Sequence, residues 1–229
     1  MTRQTRQLPL DLPLEPRYGR EDFLVSPSNE AAWTLFENWP DWPGRMLLLV
    51  GPEGAGKSHL AAIWAQHAKA RVLSAASLPL ADLPGLARSG AVLVEDADKA
   101  AGVETEFFHL INLLRQNDGF LAITARNRPD LWSLSTPDLL SRLRLAPTVE
   151  IGAPDDALVR AVLVKLFIDR QLVVDTSVIE FLALRIERSL DAARKIVNLI
   201  DREALARGRP VTRPIASEVL ARLDAGLGS

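Results

Sequence analysis

The chain has 229 residues, of which 48% are hydrophobic and 24% are charged, and its formal net charge is −2. This composition is typical of a globular protein of one or two domains, and the charge excludes a surface that attracts nucleic acid over its whole extent. The absence of cysteine excludes disulfides and thiolate metal sites, and no apolar run approaches the ~18 residues of a membrane span. Because a signal peptide is also missing, we expect a cytoplasmic protein without membrane contact.

Residues 1–17 differ from the rest of the chain, because prolines at positions 9, 13 and 16 oppose both a helix and a central strand. Leucines alternate with other residues from Leu8 to Leu14, so an extended segment would present them on one side. We interpret this stretch as a flexible arm outside the folded core. It is either a peptide ligand for another protein or an arm folded back onto its own domain.

The globular part is predicted to begin at Tyr18. Apolar spacing predicts a helix from Ala31 to Trp39. Trp39 and Trp42 alternate with prolines, and no basic residues are interleaved with them. We therefore interpret these tryptophans as packing against the first strand rather than as a stacking platform for nucleic-acid bases.

An apolar strand at Met46–Val50 is followed directly by Gly51–Ser58, which reads G-P-E-G-A-G-K-S, and helical spacing resumes after it. Strand, glycine loop and helix are the context of a phosphate-binding loop. Glycines let backbone N–H groups close on a phosphate, and the helix N-terminus adds a favourable dipole. We expect Lys57 to reach the β- and γ-phosphates and Ser58 to hold Mg²⁺. The predicted nucleotide contacts in this segment are Gly51, Pro52, Glu53, Gly54, Ala55, Gly56, Lys57, Ser58 and His59.

Strands and helices alternate from the phosphate-binding loop to residue 151. The predicted strands are 71–74, 91–95, 120–124 and 148–151, and the predicted helices are 57–69, 104–116 and 137–145, with a proline-rich helix or loop at 78–88. This order predicts an α/β fold with a parallel sheet covered on both faces. After a hinge at Gly152–Pro154 the pattern is purely helical, with helices at 155–170, 176–186, 190–207 and 215–223.

Two sets of polar residues follow strands and are candidates for chemistry. Glu95 and Asp96 end a buried strand. Following a phosphate-binding loop, such a pair is expected to place one acid near Mg²⁺ and the next where it orients an attacking water. Thr124 ends the neighbouring strand, where it either senses a phosphate or positions water, or is a plain strand-end hydroxyl. Arg142 and Arg144 lie on a helix before the last strand. Arginine matches phosphoryl oxygens bidentately, so Arg142 is either a finger that acts on a neighbour's nucleotide or a solvated charge.

These segments resemble the AAA+ class of P-loop proteins and, within it, the group related to the replication initiator DnaA. Asp22, Phe23 and Val25, with Asn29, are similar to the segment that lines the adenine pocket. Leu139–Leu143 is similar to the group's finger-bearing box, and Gln7–Leu12 resembles the Gln-Leu-x-Leu-x-Leu peptide that binds the DNA sliding clamp. The peptide residues are Gln7, Leu8, Leu10 and Leu12.

The resemblance implies a flexible arm at 1–17, an AAA+ nucleotide-binding core at 18–152 and an all-helical lid at 153–229, with ADP or ATP and Mg²⁺ as cofactors. It further implies a regulatory partner of DnaA. Held on the DNA-loaded sliding clamp, such a protein stimulates hydrolysis of DnaA-bound ATP through Arg142 and so represses re-initiation. Sequence-specific DNA binding is not expected, because no origin-reading domain follows the lid. A helicase loader of the DnaC type and a nucleotide-stabilised interaction module are the alternatives, and assembly with copies of itself stays open.

Two positions depart from the group's pattern. Glu95 replaces the usual Asp of the acidic pair, so we expect weak ATP hydrolysis, or none, by this chain alone. Asp191 occupies the position of the lid arginine that reads the γ-phosphate. Arg188 and Arg194 lie three residues on either side and are expected near the same helical face. Either one of them substitutes for the lid arginine, or nucleotide sensing is altered.

Overall fold

The computed structural model describes residues 18–225. They divide into two compact units, Tyr18–Asp155 and the described part of Asp156–Ser229, and the division falls beside the predicted hinge. The clamp-type peptide Gln7–Leu12 lies outside the described residues. Within them, no helix combines the length and hydrophobicity needed to cross a bilayer.

The first unit is a five-stranded sheet with helices between the strands. Its strands are β1 Met46–Val50, β2 Arg71–Ser74, β3 Ala91–Glu95, β4 Phe120–Ala125 and β5 Thr148–Glu150, and its helices are α1 Glu30–Glu37, α2 Lys57–Ala68, α3 Leu83–Arg88, α4 Glu104–Gln116 and α5 Pro137–Leu145. All paired strands are parallel, in the order β2-β3-β4-β1-β5. The predicted α/β class is confirmed.

The strands are apolar runs because the sheet is buried on both faces. Leu48 of β1 packs into a cluster with Phe107 of α4, whereas its neighbour Leu47 packs into a separate cluster with Trp64 of α2. Successive side chains of a strand point to opposite faces, so the alternation along β1 supplies both cores. The register aligns Val50 with Ala125, which brings the ends of β1 and β4 together.

The tryptophan cluster belongs to the core, as the sequence predicted. Trp42 is 4% exposed, its ring stacks on Trp64 at 5.0 Å, and its Nε1 donates to the carbonyl of Leu35 at 2.9 Å. The helix predicted to reach Trp39 ends two residues earlier, at Glu37, so Trp39 packs from a turn, edge-on to Phe120.

The second unit contains four helices within its described residues: α6 Asp156–Asp169, α7 Thr176–Ala183, α8 Leu190–Arg207 and α9 Arg213–Asp224. Asp175 accepts a hydrogen bond from the backbone of Ser177, and Ser189 accepts one from Ala192, which caps α7 and α8. Phe167 and Ile196 lie in one continuous apolar core. Hydrophobic burial between the helices therefore holds this unit together.

Candidate nucleotide-binding site

The phosphate-binding loop leaves the end of β1 in a conformation that only glycine permits at two positions. A Cβ on Gly51 would lie 2.3 Å from the carbonyl oxygen of Ile151 in the adjacent chain segment. Gly56 precedes α2 with a φ of 102°, in a region that side-chain-bearing residues rarely adopt. The backbone is thus built to approach closely, as a phosphate cradle requires.

Lys57 is the first residue of α2 and turns back over the loop. Its Nζ donates to the carbonyl oxygens of Gly51 and Pro52, both at 2.7 Å. Burial lowers the pKa of Lys57, and the nearby Asp98 carboxylate opposes that effect. A half-buried ammonium beside the positive end of a helix fits a phosphate group, and the exposed Ser58 adds a hydroxyl in the first turn.

The predicted acidic pair lies at the end of β3, next to the end of β4. Glu95 is the last residue of β3, and Asp96 follows it in a left-handed conformation with a φ of 54°. The backbone N–H of Asp96 donates to Thr124 Oγ1 at 3.3 Å, and its carboxylate accepts from Lys99 Nζ at 2.7 Å, which raises the pKa of Lys99. Thr124 is 2% exposed, so its hydroxyl links the two strand ends.

Two residues that the sequence did not single out complete this cluster. Arg126 follows β4 and pairs with Glu53 of the loop at 2.8 Å, while its backbone N–H donates to Asp98 Oδ1 at 3.0 Å. The charges of these two residues shift the pKa of Lys57 in opposite directions: Asp98 raises it and Arg126 lowers it. The only sequence signal was that each lies two residues from a candidate, Asp96 or Thr124.

The oxygen donors at the site suit Mg²⁺ in kind. Ser58, Glu95 and Asp96 offer a hydroxyl and two carboxylates, and Mg²⁺ is commonly held by one or two carboxylates together with water and phosphate oxygens. Within the described part of the chain, no group of three or more acidic or histidine side chains forms a metal site by itself. The donors therefore fit a metal bound together with a nucleotide phosphate.

The predicted adenine segment is attached to the first turn of α2 by His59. This imidazole is 6% exposed, lies 3.0 Å from the carbonyl of Gly19, and meets the ring of Phe23 edge-on at 5.3 Å. Phe23 also stacks on Trp33 at 5.1 Å. His59, predicted as a nucleotide contact, thus packs against the leading segment and positions it beside the loop.

Two further residues of the leading segment have contrasting environments. Asn29 is buried and ties the segment to itself, accepting from the backbone of Ser26 at 2.9 Å and donating to the carbonyl of Leu24 at 3.0 Å. Val25 is half exposed, and Asp22 ends a short 3-10 turn. The structure therefore brings Phe23 to the loop helix, and the adenine contacts of Asp22, Phe23 and Val25 stay predictions.

Arg142 lies at the other end of the sheet. We call the side where β1, β3 and β4 finish the carboxyl end and the opposite side the amino end. Arg142 lines a cavity with Met46, the first residue of β1, and its guanidinium lies 5.0 Å from the centroid of Phe108. Five strand residues, about 16 Å, separate this end from the phosphate-binding loop. The predicted catalytic residues are therefore not brought together within one chain.

The neighbouring Arg144 is held by its own chain. Its Nε, at 2.8 Å, and its Nη2 both donate to Oδ1 of Asp130. Arg142 has an aromatic ring as its neighbour where Arg144 has a carboxylate. The two arginines, equivalent in sequence, are thus distinguished by their surroundings.

In the second unit, the expectation that Arg188 and Arg194 share a helical face is wrong. The helix α8 begins at Leu190 after the cap Ser189, so Arg188 precedes it and pairs with Asp156 at 2.9 Å. Arg194 lies on α8 and pairs with Asp191 at 3.2 Å. The nucleotide-sensing roles of Arg188 and Asp191 stay predictions.

No family model matches the chain, but curated proteins do. It is 29% identical over 241 residues to the chromosomal replication initiator protein DnaA of Thermomicrobium roseum, covering 93% of this chain and 51% of that protein. It is 25% identical over 233 residues to an uncharacterized protein of Haemophilus influenzae, covering 94% of this chain and 98% of that protein. The chain therefore spans about half the length of the DnaA relative.

Two solved structures of DnaA proteins also superpose on this chain. Domain III of the Thermotoga maritima replication initiation protein DnaA superposes with a TM-score of 0.76 at 22% identity, covering 92% of this chain and 98% of that one. DnaA-type AAA+ domains are homologues of this chain. The AMPPCP-bound DnaA of Aquifex aeolicus has a TM-score of 0.71 at 20% identity, covering 93% of this chain and 70% of that chain. The AAA+ fold expected from the sequence is confirmed, and this neighbour with the same fold binds an adenine-nucleotide analogue.

Proposed function

We propose that this protein is an AAA+ adaptor of the Hda type, which inactivates the initiator DnaA. In this proposal the protein binds ADP or ATP at its own phosphate-binding loop and attaches to the DNA-loaded sliding clamp through Gln7–Leu12. It then supplies Arg142 to ATP held by DnaA. Hydrolysis of that ATP represses re-initiation of replication.

The observation that carries the proposal is the separation of Arg142 from the loop of its own chain. Arg142 and Lys57 lie at opposite ends of the same sheet, so this arginine does not reach the nucleotide of its own chain, which supports a role on a nucleotide bound to another molecule. A guanidinium offered to developing negative charge on a transferred phosphoryl group is the chemistry of a finger in trans. The DnaA relatives support DnaA as the molecule that holds that nucleotide.

The arrangement at the carboxyl end of the sheet supports the expectation that this chain by itself hydrolyses ATP only weakly. The carboxylate of Asp96, the candidate for orienting water, already accepts from Lys99 Nζ at 2.7 Å. Glu95 brings a longer side chain than the usual aspartate. When bound, the nucleotide supplies the phosphates that Lys57 and Ser58 would hold, and it acts in this proposal as a structural element.

The test is a DnaA–ATP hydrolysis assay with and without DNA-loaded clamp, comparing wild type, Arg142→Ala and the matched control Arg144→Ala. Since an arginine finger contributes on the order of 10³-fold or more to phosphoryl transfer, Arg142→Ala should remove nearly all stimulation. Arg144→Ala should keep it, because that residue is engaged by Asp130. Full stimulation by Arg142→Ala would sink the finger assignment, and turnover by the purified protein alone would favour a self-sufficient ATPase.

The clamp contact is tested separately with Gln7→Ala. This change should weaken capture by immobilised clamp while leaving nucleotide affinity and thermal unfolding unchanged, because the arm is expected to lie outside the core. Unchanged capture would remove the arm from the proposal without touching the role of Arg142.

A further inference from the structure

A cavity of about 580 Å³ opens at the amino end of the sheet beside Arg142. Its floor is apolar and belongs to the core. It is formed by Met46, the first residue of β1, Leu121, the second residue of β4, and Ile111 and Leu114 of α4. Volumes of this size hold a compact ligand or several side chains. The floor therefore offers burial to an apolar group.

The rim of this cavity is basic. Arg45, Arg115 and Arg142 line it, and Asp118 is the one acid among the residues that do. Asp118 is already engaged, because Arg45 donates to its carbonyl oxygen at 3.0 Å and approaches its carboxylate at 3.8 Å. Arg115 is exposed, and within residues 18–225 it forms no ion pair. The rim thus keeps positive charge that the described chain does not neutralise.

An exposed leucine adjoins these arginines. Leu145 is 80% exposed, although burying a leucine side chain stabilises by about 1.5–3 kcal/mol. It ends α5 three residues after Arg142, and that spacing places both side chains on the same side of the helix. A surface that contacts Arg142 from outside is therefore adjacent to Leu145 and to the cavity.

We propose that this cavity, bounded by Arg115 and Leu145, is the docking pocket for an acidic segment of the partner AAA+ domain, which inserts an apolar side chain above Ile111 and Leu114. Carboxylates flanking that side chain pair with Arg115. The inference rests on the proposed function, because it takes Arg142 as the residue presented to the partner. An apolar floor with a cationic rim is complementary to such a segment in both respects.

A second cavity provides a matched control. It has a volume of about 600 Å³, lies beside the edge strand β2, and is lined by Arg71 and Leu80. Leu80 is 93% exposed, and Arg71, exposed like Arg115, has no ion pair in the described part of the chain. It therefore presents the same pair of residue types without Arg142.

The experiment titrates wild type, Arg115→Glu, Leu145→Asp, Arg71→Glu and Leu80→Asp into ATP-loaded DnaA with DNA-loaded clamp. Arg115→Glu and Leu145→Asp should each raise the concentration for half-maximal stimulation about tenfold, because they put repulsion or a charge where a carboxylate and an apolar group should dock. Their maximal rate and clamp capture should match wild type. The two control variants should shift the half-maximal concentration by less than about twofold.

Each other outcome overturns the pocket. Unchanged half-maximal concentrations exclude docking there, equal shifts in the controls indicate a general surface effect, and a lower maximal rate alone indicates that the residues only position Arg142. If wild type itself fails to stimulate DnaA, the proposed function fails and the pocket falls with it; if wild type stimulates and all variants match it, only the pocket fails. Should Leu145→Asp unfold, the exposed Arg115→Glu carries the test.

Discussion

The two ends of the sheet differ in how far their charged side chains are paired within the chain. At the carboxyl end the charges pair with one another or with the backbone: Arg126 with Glu53, Lys99 with Asp96, and Lys57 with two loop carbonyls. At the amino end Arg45 pairs with Asp118, but Arg142 lies over an aromatic ring and Arg115 has no ion pair within residues 18–225. The charges at the carboxyl end are thus used within the chain, whereas Arg115 and Arg142 at the amino end are open to contact from outside.

This difference teaches which end suits which task. A site whose cations and anions already satisfy one another can hold a nucleotide without being organised to cleave it. Cations that the described chain leaves without a carboxylate are available to an anion from another molecule, and arginine stays charged whether or not such an anion is bound. The contrast therefore supports a protein that keeps its own nucleotide and acts on another.

The largest effect is expected from Lys57→Ala at the carboxyl end. Removing the ammonium should weaken ATP and ADP binding by about a hundredfold or more, because charge-assisted hydrogen bonds to phosphate contribute roughly 1.5–3 kcal/mol each. Isothermal titration would measure this, with the exposed Lys195→Ala as control. Comparable nucleotide affinities in the two variants would show that the loop is not the nucleotide site.

A smaller effect is expected from replacing Glu104, which lies in the first turn of α4 and binds the residues that precede α5. Its buried carboxylate accepts from the backbone N–H groups of Ser135 and Thr136 at 2.9 and 2.6 Å, just before α5 begins. Glu104→Gln should lower the free energy of unfolding by about 2 kcal/mol, the scale of hydrogen bonds to a charged group. Urea denaturation measures this, and Glu106→Gln, at a partly exposed position of the same helix, serves as control.

Acid should reproduce the effect of that variant. The Ser135 N–H above all, together with the Thr136 contacts, lowers the pKa of Glu104 to about 2 from its ordinary value of 4.5. A carboxylate with a depressed folded-state pKa stabilises the fold fully above about pH 4.5 and loses that contribution as pH falls towards 2. The wild type should therefore lose more stability over this interval than Glu104→Gln. Parallel pH profiles would contradict the assigned pKa.

The smallest effect is expected from Arg126→Gln. Its pair with Glu53 is largely solvent-exposed, and exposed ion pairs contribute about 0–1 kcal/mol. Thermal unfolding should therefore shift little. A loss of stability comparable to that of Glu104→Gln would mean that the inward pairing at the carboxyl end holds the fold together.

Much of the fold follows from local patterns. The β1 strand, the glycine loop after it and the helix Glu104–Gln116 were predicted with the bounds that the structure has, because apolar periodicity and turn chemistry are local. The Arg126–Glu53 pair was not predictable, since its partners are 73 positions apart and meet only through parallel neighbours β1 and β4. The face of Arg188 was predicted wrongly, because the Ser189 cap fixes where α8 begins.

By itself, the sequence determined the parallel α/β sheet, the helices that follow it and the residue types of the phosphate-binding loop. These depend on periodicity, on glycine conformations and on the position of polar residues after apolar strands. Only the tertiary structure decided that Arg142 lies at the opposite end of the sheet from Lys57, that Arg144 is held by Asp130, and that a cavity with a basic rim adjoins Leu145. Strand order and helix packing bring distant segments together, and no local pattern specifies which charges then meet a partner inside the chain.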